Sequence, residues 1–213
     1  MRNKLGTICM LLGAVLLLAA LSLLFWNQRE DREAGASVER ILPQVVEQIE
    51  APATDGADDT SDKPACPDPY DPTMTEVEID GCAYVGYLSI PSAGLELPVM
   101  SEWNYARLKL SPCRYTGSTK TGDLVICAHN YTRHFGPIKN LSIGDAVYFT
   151  DMDGMIWEYE VATVDILQPT DIEDMTAGDY DLTLFTCTYG GQSRVTVRCE
   201  GMDNGDSILK QGE

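Results

Sequence analysis

The stretch Leu182-Thr-Leu-Phe-Thr-Cys187, then Thr188-Tyr-Gly-Gly-Gln-Ser193, then Arg194-Val-Thr-Val-Arg-Cys-Glu200, reads as two β-strands around a glycine turn. A symmetric six-residue connection sets Cys187 opposite Arg194, Phe185 opposite Thr196 and Thr183 opposite Arg198. Directly opposed side chains share a face and lie about 4.5–5.5 Å apart at Cβ. A thiol and a guanidinium therefore meet at one rim of the sheet. Arg198 shares that face but lies four residues further along, roughly 13 Å away at strand rise, so Arg194 is the expected partner unless a bulge shifts the register. A neighbouring cation favours the nucleophilic thiolate, and the same guanidinium can stabilise negative charge on a carbonyl oxygen under attack.

Acyl transfer through Cys187 also needs a group that protonates the leaving amine, and histidine does this most often. The chain has two, His129 and His134. His129 ends the short apolar run Leu124–Ala128 and is held on a rigid element. His134 follows the polar segment Asn130-Tyr-Thr-Arg133 and reads as an exposed loop residue. The expected catalytic set is Cys187, His129 and Arg194.

Upstream the pattern is mainly β. Strands are expected over Ala83–Ile90, Leu95–Met100, Leu124–Ala128, Ala146–Thr150 and Met155–Val164, the last two joined by the turn Asp151-Met-Asp-Gly154. Short helical pieces are expected at Tyr105–Leu110 and Pro137–Leu141, with a turn at Asp171–Met175. Many short strands in about 130 residues fit a closed β-barrel or a sandwich.

The N-terminus is different. No charged side chain occurs from Leu5 to Gln28, and about 20 apolar residues suffice to cross a bilayer. Arg2 and Lys4 precede the run, so the positive-inside tendency keeps the N-terminus in the cytoplasm and places everything after Trp26 outside. Beyond it, Val38, Ile41, Leu42, Val45, Val46 and Ile49 keep helical spacing over Ser37–Glu50, with Pro43 expected to kink or delay a short stem helix. Residues 51–72 are rich in Pro and Asp and read as linker. The expected organisation is residues 1–28 as cytoplasmic tip and transmembrane anchor, 29–73 as an acidic, Pro-rich extracellular stem and linker, and 74–213 as the catalytic domain. The net charge of −18 argues against nucleic acid, because phosphate binding needs a basic stripe. An oxidising exterior permits disulfides, and a clip between Cys66 and Cys82 is one expectation; Cys127 and Cys199 read as core residues of strands.

Thr183-Leu-Phe-Thr-Cys187 with Arg194-Val-Thr-Val197 resembles the TLxTC and Arg signature of sortases. Ala128-His129-Asn130 is similar to their histidine segment, Gly86-Tyr-Leu-Ser-Ile-Pro91 with Leu97-Pro-Val99 to their opening strand, and Asn140-Leu141 through Gly144-Asp145 to their middle. The resemblance spans about residues 80–200 and is nearest the class D-like and class B-like members. It implies a closed eight-stranded sortase-type β-barrel with a few short helices, preceded by one transmembrane helix in the membrane of a Gram-positive-type cell. It also implies a cysteine transpeptidase that cleaves a C-terminal sorting signal of secreted proteins through a thioester on Cys187. An amine of a cell-wall precursor or a pilin lysine then accepts the acyl group. His129 would act as acid then base, Arg194 would position substrate, Thr186 would support the oxyanion, and Ile166, Leu167, Pro169 and Ile172 would line a specificity loop. No cofactor or metal is implied. Two other readings stay open: a membrane-tethered, non-catalytic wall-binding barrel, and a zinc site using Cys127, His129 and Cys187, which lacks a spacing that completes four ligands.

Overall fold

The computed structural model describes residues 2–51, 73–177 and 179–202. One long helix, α1 (Arg2–Glu50), precedes β1 (Val77–Ile79), β2 (Cys82–Ile90), β3 (Leu95–Met100), β4 (Cys113–Thr116), β5 (Leu124–Cys127), β6 (Ala146–Asp151) and β7 (Ile156–Leu167). A short helix, α2 (Ile172–Thr176), then leads into β8 (Leu182–Cys187) and β9 (Arg194–Gly201). The hydrogen-bonded order β2-β3-β4-β5-β8-β9-β7-β6 closes on itself because β6 pairs back with β2. This is the expected eight-stranded barrel, with β1 added beside the start of β2. The pairs β3–β4 and β5–β8 are parallel and the others antiparallel.

Closure depends on Gly86. Its φ of 146° lies in a region that favours glycine, and a Cβ there would sit 2.1 Å from the Thr150 carbonyl oxygen on β6. The register also slips between Tyr84 and Gly86. That bulge lets β2 bend from its pairing with β1 into its pairing with β6.

Strand alternation sorts the side chains between two apolar clusters. Inside the ring, Val85, Leu88, Val99, Ile126, Phe149, Leu184 and Val197 are fully buried. Outside it, Tyr84, Met100, Cys113 and Cys127 form a second cluster that is closed by Ile41 and Val45 of α1. The buried residues Ala34, Val38, Ile41 and Val45 recur every three or four positions and so form one stripe of the helix.

The expected short stem helix at Ser37–Glu50 is therefore corrected: it is the C-terminal end of a continuous α1 that runs unbroken through Pro43. Pro43 is on the exposed face, where the carbonyl that it deprives of a partner meets water. The side chains from Ile8 to Trp26 are exposed, and this half is long and apolar enough to cross a membrane. The expected linker over 52–72, including Cys66 of the suggested Cys66–Cys82 clip, lies outside the described residues.

Candidate active site

The last hairpin has the register expected from its sequence: Cys187 opposite Arg194, Phe185 opposite Thr196 and Thr183 opposite Arg198. Val195, Val197, Leu182 and Leu184 point into the barrel, so Cys187 and Arg194 take its outer face at the end of the ring. On the other side of β8, β5 runs parallel with Cys127 beside Phe185, and the Ala128 amide donates to the Phe185 carbonyl at 3.3 Å. Extending that register by two residues sets His129 alongside Cys187. The Thr186 hydroxyl donates to the Ala128 carbonyl at 2.8 Å. Its proton is thereby committed to tying the histidine strand to the cysteine strand.

The two arginines differ. Arg198 is largely covered, lies 3.6 Å from the Asp165 carboxylate, donates to the Asp174 carbonyl and stacks over the Tyr180 ring at 5.1 Å. Among the described residues Arg194 donates only to turn carbonyls, those of Gly191 at 3.2 Å and Ser193 at 3.1 Å. The turn itself is braced by Thr188, whose amide donates to the Ser193 carbonyl and whose hydroxyl oxygen accepts from the Ser193 amide. Bonds to neutral carbonyls leave the Arg194 charge available beside Cys187.

Burial lowers the proton affinity of His129 below the ordinary histidine value; the Lys109 ammonium adds to this and the Glu30 carboxylate opposes it. His134 is not the exposed loop residue expected from its polar neighbours. It is fully buried, and burial pushes it down to about 4, with His129 adding to the shift. The segment 130–134 meets α1, which arrives from about a hundred residues earlier in the chain: Glu30 and Asp31 bond to Tyr131 and Arg133, and His134 is buried behind them while Asn130, Thr132 and Arg133 stay exposed. Glu30, Asp31 and Tyr131 are therefore site neighbours that the sequence reading missed. The signal for them was the apolar spacing of Val38, Ile41 and Val45, which continues in helical phase back toward Glu30.

Cys187 opens into a cavity of about 550 Å³ whose walls include Asn130, Pro137, Ile166, Thr186, Tyr189 and Val195. Of the expected specificity residues, Ile166 lines this cavity, and Leu167 is the register partner of Arg194. Both lie in β7, which runs three residues beyond its expected end because β9 pairs with it that far. Pro169 follows in the connection and Ile172 begins α2. Among the described residues, no group of three or more His, Cys, Asp or Glu side chains is placed to hold a metal ion. Cys127 and Cys199 are buried, as expected of core cysteines.

Sortase A of Listeria monocytogenes serovar 1/2a is 29% identical over 132 residues, covering 54% of this chain and 57% of the relative. The chain thus matches little more than half the length of that curated relative. Sortase A from Corynebacterium diphtheriae aligns with a TM-score of 0.53 at 23% identity, over 59% of this chain and 64% of the other, a likeness of fold. Sortase C1 from Streptococcus agalactiae aligns with a TM-score of 0.52 at 27% identity, over 60% and 72%. The family model described as Sortase domain matches residues 88–202, more than half of the sequence and the whole of the ring after the start of β2, and the chain belongs to the sortase family.

Proposed function

We propose that this protein is a membrane-anchored cysteine transpeptidase in which Cys187 is the nucleophile, His129 the proton-transfer group and Arg194 the oxyanion and substrate support. The observation that carries the reading is the pairing of Cys187 with Arg194 on the outer face of the barrel, with His129 two residues past the end of the adjoining parallel strand. The Cys187 thiolate adds to the scissile carbonyl, and Arg194 stabilises the resulting oxyanion. Collapse breaks the C–N bond as His129 gives its proton to the leaving amine, which leaves a thioester. An incoming amine then attacks the thioester, His129 accepts its proton, and the thiolate departs.

The donor substrate in this reading is a secreted protein with a C-terminal sorting motif, and the acceptor is an amine of a cell-wall precursor or a pilin lysine. Ile166, Leu167, Pro169 and Ile172 form the wall that reads the motif. The first half of α1 spans the membrane with Arg2 and Lys4 on the cytoplasmic side, and residues 74–213 act as an extracellular catalytic domain.

The test mixes the full chain, in detergent micelles, with a pool of sorting-signal peptides and reads intact mass. The expected result is an adduct equal to the N-terminal peptide fragment, discharged by hydroxylamine and absent in Cys187→Ala. His129→Ala and Arg194→Ala are each expected to slow its formation by roughly 10²–10⁴-fold, and Arg198→Ala by far less. An adduct that survives Cys187→Ala, or no adduct from folded protein with a free thiol, overturns the reading.

A further inference from the structure

We propose that Glu30, on the first turn of α1 past its apolar run, is a positioning residue for His129, which makes the anchor helix part of the catalytic apparatus as well as its tether. The proposal rests on His129 being the proton-transfer group and deepens that assignment. The segment 129–134 is held by α1 at several points. Glu30 Oε2 accepts from the Tyr131 hydroxyl at 3.3 Å, and Asp31 Oδ1 accepts from the Arg133 amide at 3.4 Å. Glu39 pairs with the Arg133 guanidinium. Gly35 lies so close to Arg133 that a Cβ there would come within 3.0 Å of its Cγ and Nε. Ala34 and His134 are both fully buried.

Within this contact Tyr131 is the connecting piece. Its ring centroid lies 4.9 Å from that of His129, tilted by 40°, and 5.6 Å from that of His134. One phenol therefore lies against both imidazoles, and its hydroxyl is tied to Glu30. Burial and the Glu30 carboxylate push that hydroxyl up to about 12, so it remains a donor at any physiological pH.

Two charges on packed elements face His129. Lys109, in the connection between β3 and β4, opposes the imidazolium, and Glu30, from α1, favours it. Glu30 Oε1 also lies 3.4 Å from the Lys109 ammonium, so it both attracts the imidazolium and offsets the competing cation. Loss of Glu30 leaves Lys109 uncompensated and Tyr131 untethered. The imidazolium is the form that protonates the leaving amine, so the effect bears on the chemical step.

The chain has only two histidines, so ¹³C-histidine NMR of the full chain in phospholipid nanodiscs follows both. His134, held near 4, stays neutral above about pH 5, and the higher midpoint belongs to His129. We expect Glu30→Gln to lower the His129 midpoint, Tyr131→Phe to lower it less, and Arg133→Ala, which releases the Glu39 contact, to leave it in place. In the same samples the alkaline limb of thioester formation moves to lower pH in Glu30→Gln. An unmoved midpoint in Glu30→Gln, or an equal shift in Arg133→Ala, overturns the proposal. The midpoint is read without turnover, so a wild-type protein that forms no thioester counts against the transpeptidase reading while the Glu30 question is still decided.

Discussion

The barrel is apolar on both faces, but the faces are covered in different ways. The inner face is filled mainly by the ring: alternate residues of every ring strand except β4 converge, joined by Phe135, Ile138 and, from α1, Val38, and Leu88, Ile126, Leu184 and Val197 lose all contact with solvent. The outer face cannot do this. Tyr84, Met100, Cys113 and Cys127 are buried there because Ile41 and Val45 of α1 lie across them. Past the edge of that cover, at the end of the ring, the outer face carries the part-exposed pair Cys187 and Arg194. An apolar outer strand face thus marks where the chain must supply a cover from elsewhere, and the proposed site lies beside it. The cysteines follow the same division. Burial raises the Cys113 thiol to about 12 and the Cys127 thiol well above its ordinary value, which keeps both protonated. Cys187, part-exposed, instead opens into the cavity at the end of the ring.

The comparison can be broken in several places. Leu184→Ala opens a cavity in the inner face and is expected to cost about 4 kcal/mol in urea unfolding; a loss under about 1 kcal/mol would mean that the interior is not packed as described. The seam between α1 and the 129–134 segment is sensitive to acid. The His134 midpoint falls from about 6.5 in the unfolded chain to about 4 when folded. Neither state holds the proton above pH 6.5. Between there and pH 4 the unfolded state binds it and the native state does not, so stability falls as pH falls, by up to about 3 kcal/mol. His134→Leu is expected to flatten that part of the pH profile relative to wild type.

Ile41→Ala tests the borrowed cover. We expect a loss of about 2 kcal/mol, near the low end for such a truncation because α1 can lift without opening the barrel, together with faster maleimide labelling of Cys127. Equal costs at positions 41 and 184, with no change in labelling, would erase the distinction between the faces. The smallest effect belongs to Arg40, whose exposed pair with Asp80 at 2.8 Å is expected to contribute about 0.5 kcal/mol, measurable by a double-mutant cycle and weakened by salt.

Sequence alone carried the longer ring strands and the last hairpin. The hairpin was legible because a glycine turn with matched strands leaves one symmetric register, and that register brings Cys187 to Arg194. The strands β1 and β4 were not legible, since three residues at Val77–Ile79 and four at Cys113–Thr116 are too few to show an alternation. His134 misled because burial by a segment a hundred residues away has no local signature. The helix piece expected at Tyr105–Leu110 is present only as a 3-10 turn at Arg107–Lys109, and that expected at Pro137–Leu141 as one at Gly136–Asn140. Two of the expected motif-reading residues, Ile166 and Leu167, lie on a strand because β9 pairs with β7 as far as Leu167, a partner that comes later in the chain and leaves no local signal.

A glycine inside a strand is usually read as a point of weakness, yet at position 86 it is the condition for the ring to exist. Any larger residue would meet the Thr150 carbonyl just where the first ring strand must accept the sixth strand of the chain. For anyone recombining segments of this barrel with another, the unit to transplant is therefore the pair of strands with that glycine, and a crossover placed between them separates a lock from its key.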